Sequence, residues 1–282
     1  MAVDTEELLE LEIGVPTRDC SAVPSQQWFK LRAFLVLAFG DIPALSKLLG
    51  VKGHNAFAPC RTCQIHGVQG PNSNVYYVPI TQPGGEDYWD MENLPMRTTE
   101  LFDTHITEIE AASTKTAREK LARIYGVNSQ CIFSTLRTIN TAASFPYDFM
   151  HLMFENLVPN LIRHWTGTFK DLDQGAENYL LAHVWSTIGA ETAAALKFIP
   201  SEFVGTIHDI DQDISLYKAE GYSFWILYLA PILLKNRLPP KHYQHLLDLC
   251  EIIELCLRYS IKPAQIDYLE DKIRNWVADY EA

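Results

Sequence analysis

The chain has few cysteines for its length, no long apolar run, no excess of positive charge and no leader-like start. Each absence closes off a class. Six cysteines among 282 residues, at positions 20, 60, 63, 131, 250 and 256, are too few and too scattered to staple a domain of this size. Reduced thiols are therefore expected, and a close cysteine pair then favours metal over disulfide. The longest apolar stretch, FWILYLAPILL at 224–234, is interrupted by Pro231 and falls well short of the about 20 residues that cross a bilayer. It is expected to be a buried helix, with no membrane as partner. The start, MAVDTEELLELEIG, is acidic and amphipathic, with neither a basic region nor a cleavage site, so an intracellular rather than a secreted protein is expected. The formal net charge is −12, whereas a protein that grips nucleic acid unaided presents a basic field. Any role on DNA must use a local patch, a bound metal or protein segments outside this sequence.

What is present is ordinary globular composition, enough for one large domain or two small ones. Asp4–Ile13 reads as a short helix with Leu8, Leu9, Leu11 and Ile13 on its apolar side and acids at its start. A loop punctuated by Pro16 and Pro24 follows. Residues Leu31–Phe39 are apolar over too short a distance for periodicity to decide, and the abrupt Gly40-Asp41 stop favours a buried strand. Pro43 then opens a helix to about Leu49. Val51–Arg97 is rich in Gly, Pro, Asn and Tyr, and an irregular stretch of that length is usually functional or held by metal. Thr104–Tyr125 reads as one or two exposed helices whose basic side, Lys115, Arg118, Lys120 and Arg123, is a solvated face. Five further helices are expected at Asp148–Trp165, Ala176–Phe198, Lys218–Leu234, Lys241–Tyr259 and Ile266–Tyr280, bounded by Pro146, Pro200, Pro239-Pro240 and Pro263.

Three constellations carry candidate chemistry. Cys60-Arg-Thr-Cys63-Gln-Ile-His66 has the spacing with which two thiolates bind one tetrahedral zinc from a turn, His66 or a distant residue completing the set. The plain alternative is two free thiols on a loop. Asp148-Phe-Met-His151 puts an acid and an imidazole on one helical face, extended by Glu155, either for metal or acid–base work or simply as a helix start. Asp41 ends the apolar run, where metal-binding carboxylates sit and where ordinary turn residues also sit. Glu220 alone is a first-turn acid, and the stripe Tyr222, Phe224, Trp225 and Tyr228 reads as core packing.

From Gly40 onward the chain resembles the transposases of CACTA (En/Spm-type) DNA transposons, in the forms found in mushroom-forming basidiomycete fungi. The residues that carry the resemblance are GDIPALSKLLGVKGHNAFAPCRTC (40–63), LPMRT (94–98), SFPYDFMHLMFENLVPNLIRHWTG (144–167) and YKAEGYSFWILYLAPILL (217–234). The resemblance implies an RNase H-like core interrupted by a helical insertion, nuclear localisation, DNA and other transposase copies as partners, and two Mg²⁺ ions held by two aspartates and a glutamate. Asp41 would be the second of those aspartates. Glu220 is the favoured third acid and Glu155 the alternative. Cys60 and Cys63 match the CxxC of related transposases and of the large subunit of the V(D)J recombinase, where the pair binds structural zinc. Asp148 and His151 match the D-x-x-H signature, with His151 a distant zinc ligand.

The family's first aspartate ends an earlier strand. Here Asp4 and Asp19 lie in an acidic helix and a Pro-bounded loop, so that aspartate, the first core strands and the DNA-binding region are expected to be missing from this sequence. The expectation is an α/β, predominantly helical fold. It comprises a partial RNase H-like segment with the CxxC (1–66), a loop-rich and helical connection (67–140), and a helical insertion and C-terminal region (141–282). Such a fragment would not cleave DNA alone, because a two-metal site tolerates no missing ligand. It could instead be a zinc-stabilised module that contacts DNA or protein.

Overall fold

The computed structural model describes residues 5–21, 27–69, 76–80, 89–169 and 180–281. Among them the fold is mixed α/β and mostly helical, and the chain divides into two compact units, Met1–Asp148 and Phe149–Ala282. The segments expected as 1–66 and 67–140 both fall in the first unit. Asp4, the loop around Pro24 and the helix start at Ala176 lie outside the described residues.

In the first unit α1 (Thr5–Ile13) leads into a two-stranded antiparallel ribbon, β1 (Val15–Asp19) paired with β2 (Gln27–Leu31). The strand expected at Leu31–Phe39 is not formed. β2 ends at Leu31, and residues 32–40 have no regular secondary structure. No third strand lies beside β2 among the described residues, so the segment has no ladder to join. Its backbone is held instead by scattered partners. Ala33 N–H donates to Leu11 O, Ala38 N–H to Ser144 O, and Leu35 O accepts the Thr138 hydroxyl. Nor is the run buried, because Phe34, Val36, Leu37 and Phe39 are exposed.

α2 (Ile42–Leu49) follows, with Asp41 as its N-cap and Pro43 in its first turn, where a missing N–H costs nothing. α3 (Thr99–Ala111) and α4 (Lys115–Tyr125) form an antiparallel hairpin, each capped by a threonine hydroxyl, Thr98 and Thr114. Lys115, Arg118, Lys120 and Arg123 are all exposed, as a solvated face requires. The two ribbons β1–β2 and β3 (Val68–Gln69) with β4 (Tyr76–Tyr77) carry little of the packing. The core is Leu45 and Leu49 of α2, Phe102, Ile106 and Ile109 of α3, and Val127, Cys131, Phe133, Leu136 and Phe145 beyond α4. Two glycines turn the chain at its edge. Gly50 and Gly126 end α2 and α4 in the left-handed conformation, with φ of 69° each, and the residues after them, Val51 and Val127, bridge one another.

Glu12 ties α1 to the rest of this unit. It is buried, and its carboxylate accepts Arg137 N–H at 3.1 Å and the Thr138 hydroxyl at 2.8 Å. Those bonds, the Arg137 N–H foremost, hold its carboxyl below the usual carboxylate range. A depressed carboxylate contributes stability above its unfolded-state value and loses it as pH falls through the folded one. Acidification below about pH 4.3 is therefore expected to weaken the first unit. In Glu12→Gln that part of the acid sensitivity is expected to vanish, as urea unfolding at a series of pH values would read.

The second unit is helical. A π-helical turn (His151–Leu157) runs into α5 (Val158–Thr166), followed by α6 (Ala182–Ala195), α7 (Ala219–Phe224), a second π-turn (Trp225–Leu229), α8 (Ala230–Leu233), α9 (Pro240–Cys256) and α10 (Pro263–Glu281). The π-turns have a local cause. Each ends just before a proline, Pro159 and Pro231, which has no N–H to give to the preceding turn. The last free N–H groups reach back five residues, Val158 to Met153 and Ala230 to Trp225. Ile226 O, five residues before Pro231, takes the Cys250 thiol of α9 at 3.2 Å instead. The core runs from Val158, Ile162 and Trp165 through Ile188, Trp225, Ile226 and Leu234 to Leu246, Leu249 and Ile253. His245 and Trp276 lock α9 to α10, with rings stacked at 4.3 Å and each bonding the other's backbone carbonyl at 2.9 Å. Of the aromatic stripe, Tyr222 and Trp225 are core and Tyr228 is exposed. Among the described residues no helix is long and apolar enough to cross a membrane.

Candidate metal centre

The CxxC lies on the irregular loop that leaves α2. Lys52 N–H donates to Gly126 O, and Gly67 N–H to Phe57 O at 2.7 Å, which closes the loop on itself. Its turn is pinned against residues 95–97. Gln64 N–H donates to Pro95 O and Arg97 N–H to Thr62 O, each at 2.9 Å, with Cys63 facing Met96 across an antiparallel bridge. Backbone hydrogen bonds rather than sequence-local turn chemistry thus fix where the two sulfurs point.

The Cys60 and Cys63 sulfurs are 3.3 Å apart. Cys60 Sγ also receives the backbone N–H groups of Thr62 and Cys63, both at 3.3 Å, and lies 3.5 Å from the Tyr147 hydroxyl. Donors converging on one sulfur favour its anion. The Cys63 thiol foremost, with Tyr147 and the two N–H groups in support, pulls Cys60 down to about 5 against the effect of burial. The same bond pushes Cys63, its donor, up, and burial adds to that. Burial of the Tyr147 hydroxyl, with the neighbouring Cys60 charge, pushes the phenol up to about 12.

Two arginines complete the surroundings. Arg61 Nη2 donates to Pro146 O at 2.8 Å, and its guanidinium lies 3.9 Å over the Tyr147 ring. Arg97 Nε donates to both Cys60 O and Cys63 O, at 3.0 and 3.2 Å. Both residues are buried, 7% and 4% exposed, and among the described residues neither has a carboxylate within ion-pair distance. Burial holds both guanidinium groups below their usual range, and the Cys60 charge counters it at each. A cleft of about 600 Å³ reaches the turn, lined in part by Thr62, Arg97, Asn140 and Tyr147.

Zinc fits two positions here. Bonds of about 2.3 Å at tetrahedral angles put two thiolates about 3.8 Å apart, so opening the pair by about half an ångström admits the ion. The N–H groups on the sulfurs are the kind of outer contacts that orient metal-bound thiolates. Among the described residues, however, no three His, Cys, Asp or Glu side chains are grouped to hold a metal ion. His66, expected as a third ligand, is stacked on Phe57 with ring centroids 4.6 Å apart. Burial and then the Arg97 charge hold its imidazole below its ordinary value, so it is neutral at physiological pH.

The remaining expected residues fall in both units. Asp41 does not end a strand. It is exposed, and its carboxylate accepts Ala44 N–H at 2.6 Å as a helix cap. Asp19, expected in a loop, instead ends strand β1, and its carboxylate accepts the N–H and hydroxyl of Ser21. Asp148, half-buried, is the last residue of the first unit. In the second unit His151 and Glu155 share the first π-turn, with His151 Nε2 3.5 Å from the Glu155 carboxylate. Glu220, exposed, heads α7, which packs on that π-turn. Sequence reasoning missed the parts played by Arg61, Arg97 and Tyr147. Arg61 sits between the cysteines and Arg97 in LPMRT, but only the folded backbone brings them together. Compared with models of known families, with curated proteins and with solved structures, the chain matches none.

Proposed function

We propose that the chain is transposase-derived and that its first unit is a zinc-stabilised module built on Cys60 and Cys63. The observation that supports the module is the cysteine pair itself, two sulfurs 3.3 Å apart in a turn that aims two backbone N–H groups at one of them, while the transposase origin rests on the resemblance of the sequence blocks alone. Zinc, when bound, would supply a closure of the turn between Cys60 and Cys63. The partial RNase H-like segment of this proposal is residues 1–66, the CxxC included. DNA and other transposase copies are the proposed partners, with the nucleus as the place of action. Cleavage does not come from this chain alone in this proposal. What supports that is the use of the Asp41 carboxylate as a helix cap. Mg²⁺ would be held only where partners complete the acids.

Metal analysis of the purified protein is expected to find one zinc per chain, and Cys60→Ser is expected to lose it and to lower the thermal midpoint of the first unit. Purified protein without zinc, and a Cys60→Ser variant of unchanged stability, would overturn the module. A nicking assay on transposon-end DNA with Mg²⁺ is expected to show no cleavage. Nicking abolished by Asp41→Ala would favour a working catalytic site instead.

A further inference from the structure

Arg97 is not explained as a structural arginine. A buried guanidinium is normally hydrogen-bonded through its donors and paired with a carboxylate. Arg97 Nη1 is buried with no hydrogen-bond partner, and no described carboxylate pairs with the group. Its Nε–H, by contrast, is shared between the carbonyls of Cys60 and Cys63, the two residues that define the turn. Its backbone N–H holds Thr62 O between them. The ring of Phe102, 5.4 Å from the guanidinium carbon, covers one side. One residue therefore grips the turn at three carbonyls, and the groups that offset its charge are the two sulfurs foremost and then Tyr147.

We propose that Arg97 is the positioning residue of the CxxC. Its Nε–H, shared between the Cys60 and Cys63 carbonyls, fixes the turn that sets the distance between the two sulfurs, and so orients the pair toward a thiophilic divalent cation. This rests on the zinc module above in its second half only. The grip on the turn exists without metal.

The test uses the full chain and two readouts. Zinc affinity, measured by competition with a chelating dye, is expected to fall about 10–100-fold in Arg97→Gln, the range for losing an outer contact of a metal ligand. Arg97→Lys keeps a cationic donor without the Nε–H and is expected to recover part of that loss. In metal-free protein, alkylation of the buried Cys63 by a maleimide is expected to accelerate in Arg97→Gln while the buried Cys131 in the core of the same unit does not change. Cys63 accelerating alone in a protein that binds no zinc would uphold the grip and refute the zinc module. Equal acceleration at Cys63 and Cys131 would mean that Arg97 serves the whole core, and would overturn the proposal. So would unchanged zinc affinity with unchanged alkylation.

Discussion

Trp225→Ala is expected to cost the second unit about 3–5 kcal/mol, as truncation of a fully buried tryptophan does. Trp225 is wholly buried and stands at the start of the second π-turn, edge-on to Trp185 with ring centroids 6.0 Å apart. Its indole N–H donates to the hydroxyl of Thr192 at 3.1 Å, and Thr192 is itself fully buried. Truncation thus removes the ring, opens a cavity between α6 and the π-turn, and strips a buried hydroxyl of its donor. Trp225→Phe separates these effects, because it keeps most of the ring and loses the N–H, for a cost of about 1–3 kcal/mol. Equilibrium urea unfolding followed by far-ultraviolet circular dichroism measures both. A cost below about 1 kcal/mol for Trp225→Ala would mean that the π-turn repacks freely around the gap.

Where the sequence is legible, the reason is local. Prolines and glycines set most helix limits, and the chain obeys them. α2 begins beside Pro43 and ends at Gly50, while α9 and α10 begin at Pro240 and Pro263. Pro159 and Pro231 are instructive exceptions. Each falls inside an apolar helical run, and the chain answers by widening the preceding turn rather than ending the helix; at Pro231 the thiol of Cys250 on α9 takes a carbonyl of the widened turn. The strand expected at Leu31–Phe39 fails for a related reason. An apolar run becomes a strand only where another strand presents free backbone groups, and beside β2 the described residues offer none.

The candidate site divides in the same way. Cysteines three residues apart meet because a single turn suffices, so the pair was readable from spacing. The surroundings were not, because Arg97 and Tyr147 reach the turn from far along the chain. Asp41 shows how one residue type serves two roles. An aspartate before Ile-Pro is as good a helix cap as a metal ligand, and in the fold its carboxylate is committed to Ala44 N–H.

Gly126→Ala is expected to destabilise the first unit by about 2–5 kcal/mol, from backbone strain and a steric clash together. Gly126 ends α4 at φ 69°, a conformation that costs an alanine about 1 kcal/mol by itself. An added Cβ would stand 2.1 Å from Ala58 O, and a backbone atom cannot rotate away as a side chain can. Ala58 is buried two residues before Cys60, so relief must move the loop that carries the cysteines. Gly53→Ala isolates the strain. Gly53 has φ 86° and meets only the Ser46 side chain, at 3.3 Å, so its replacement is expected to cost about 1 kcal/mol. Urea unfolding of the two variants gives the difference. Equal costs would show that Ala58 yields without resistance and that the cysteine loop is not braced by α4. A much larger cost at Gly126, with zinc affinity falling alongside, would show that the turn holding Cys60 and Cys63 is set by how closely α4 approaches it.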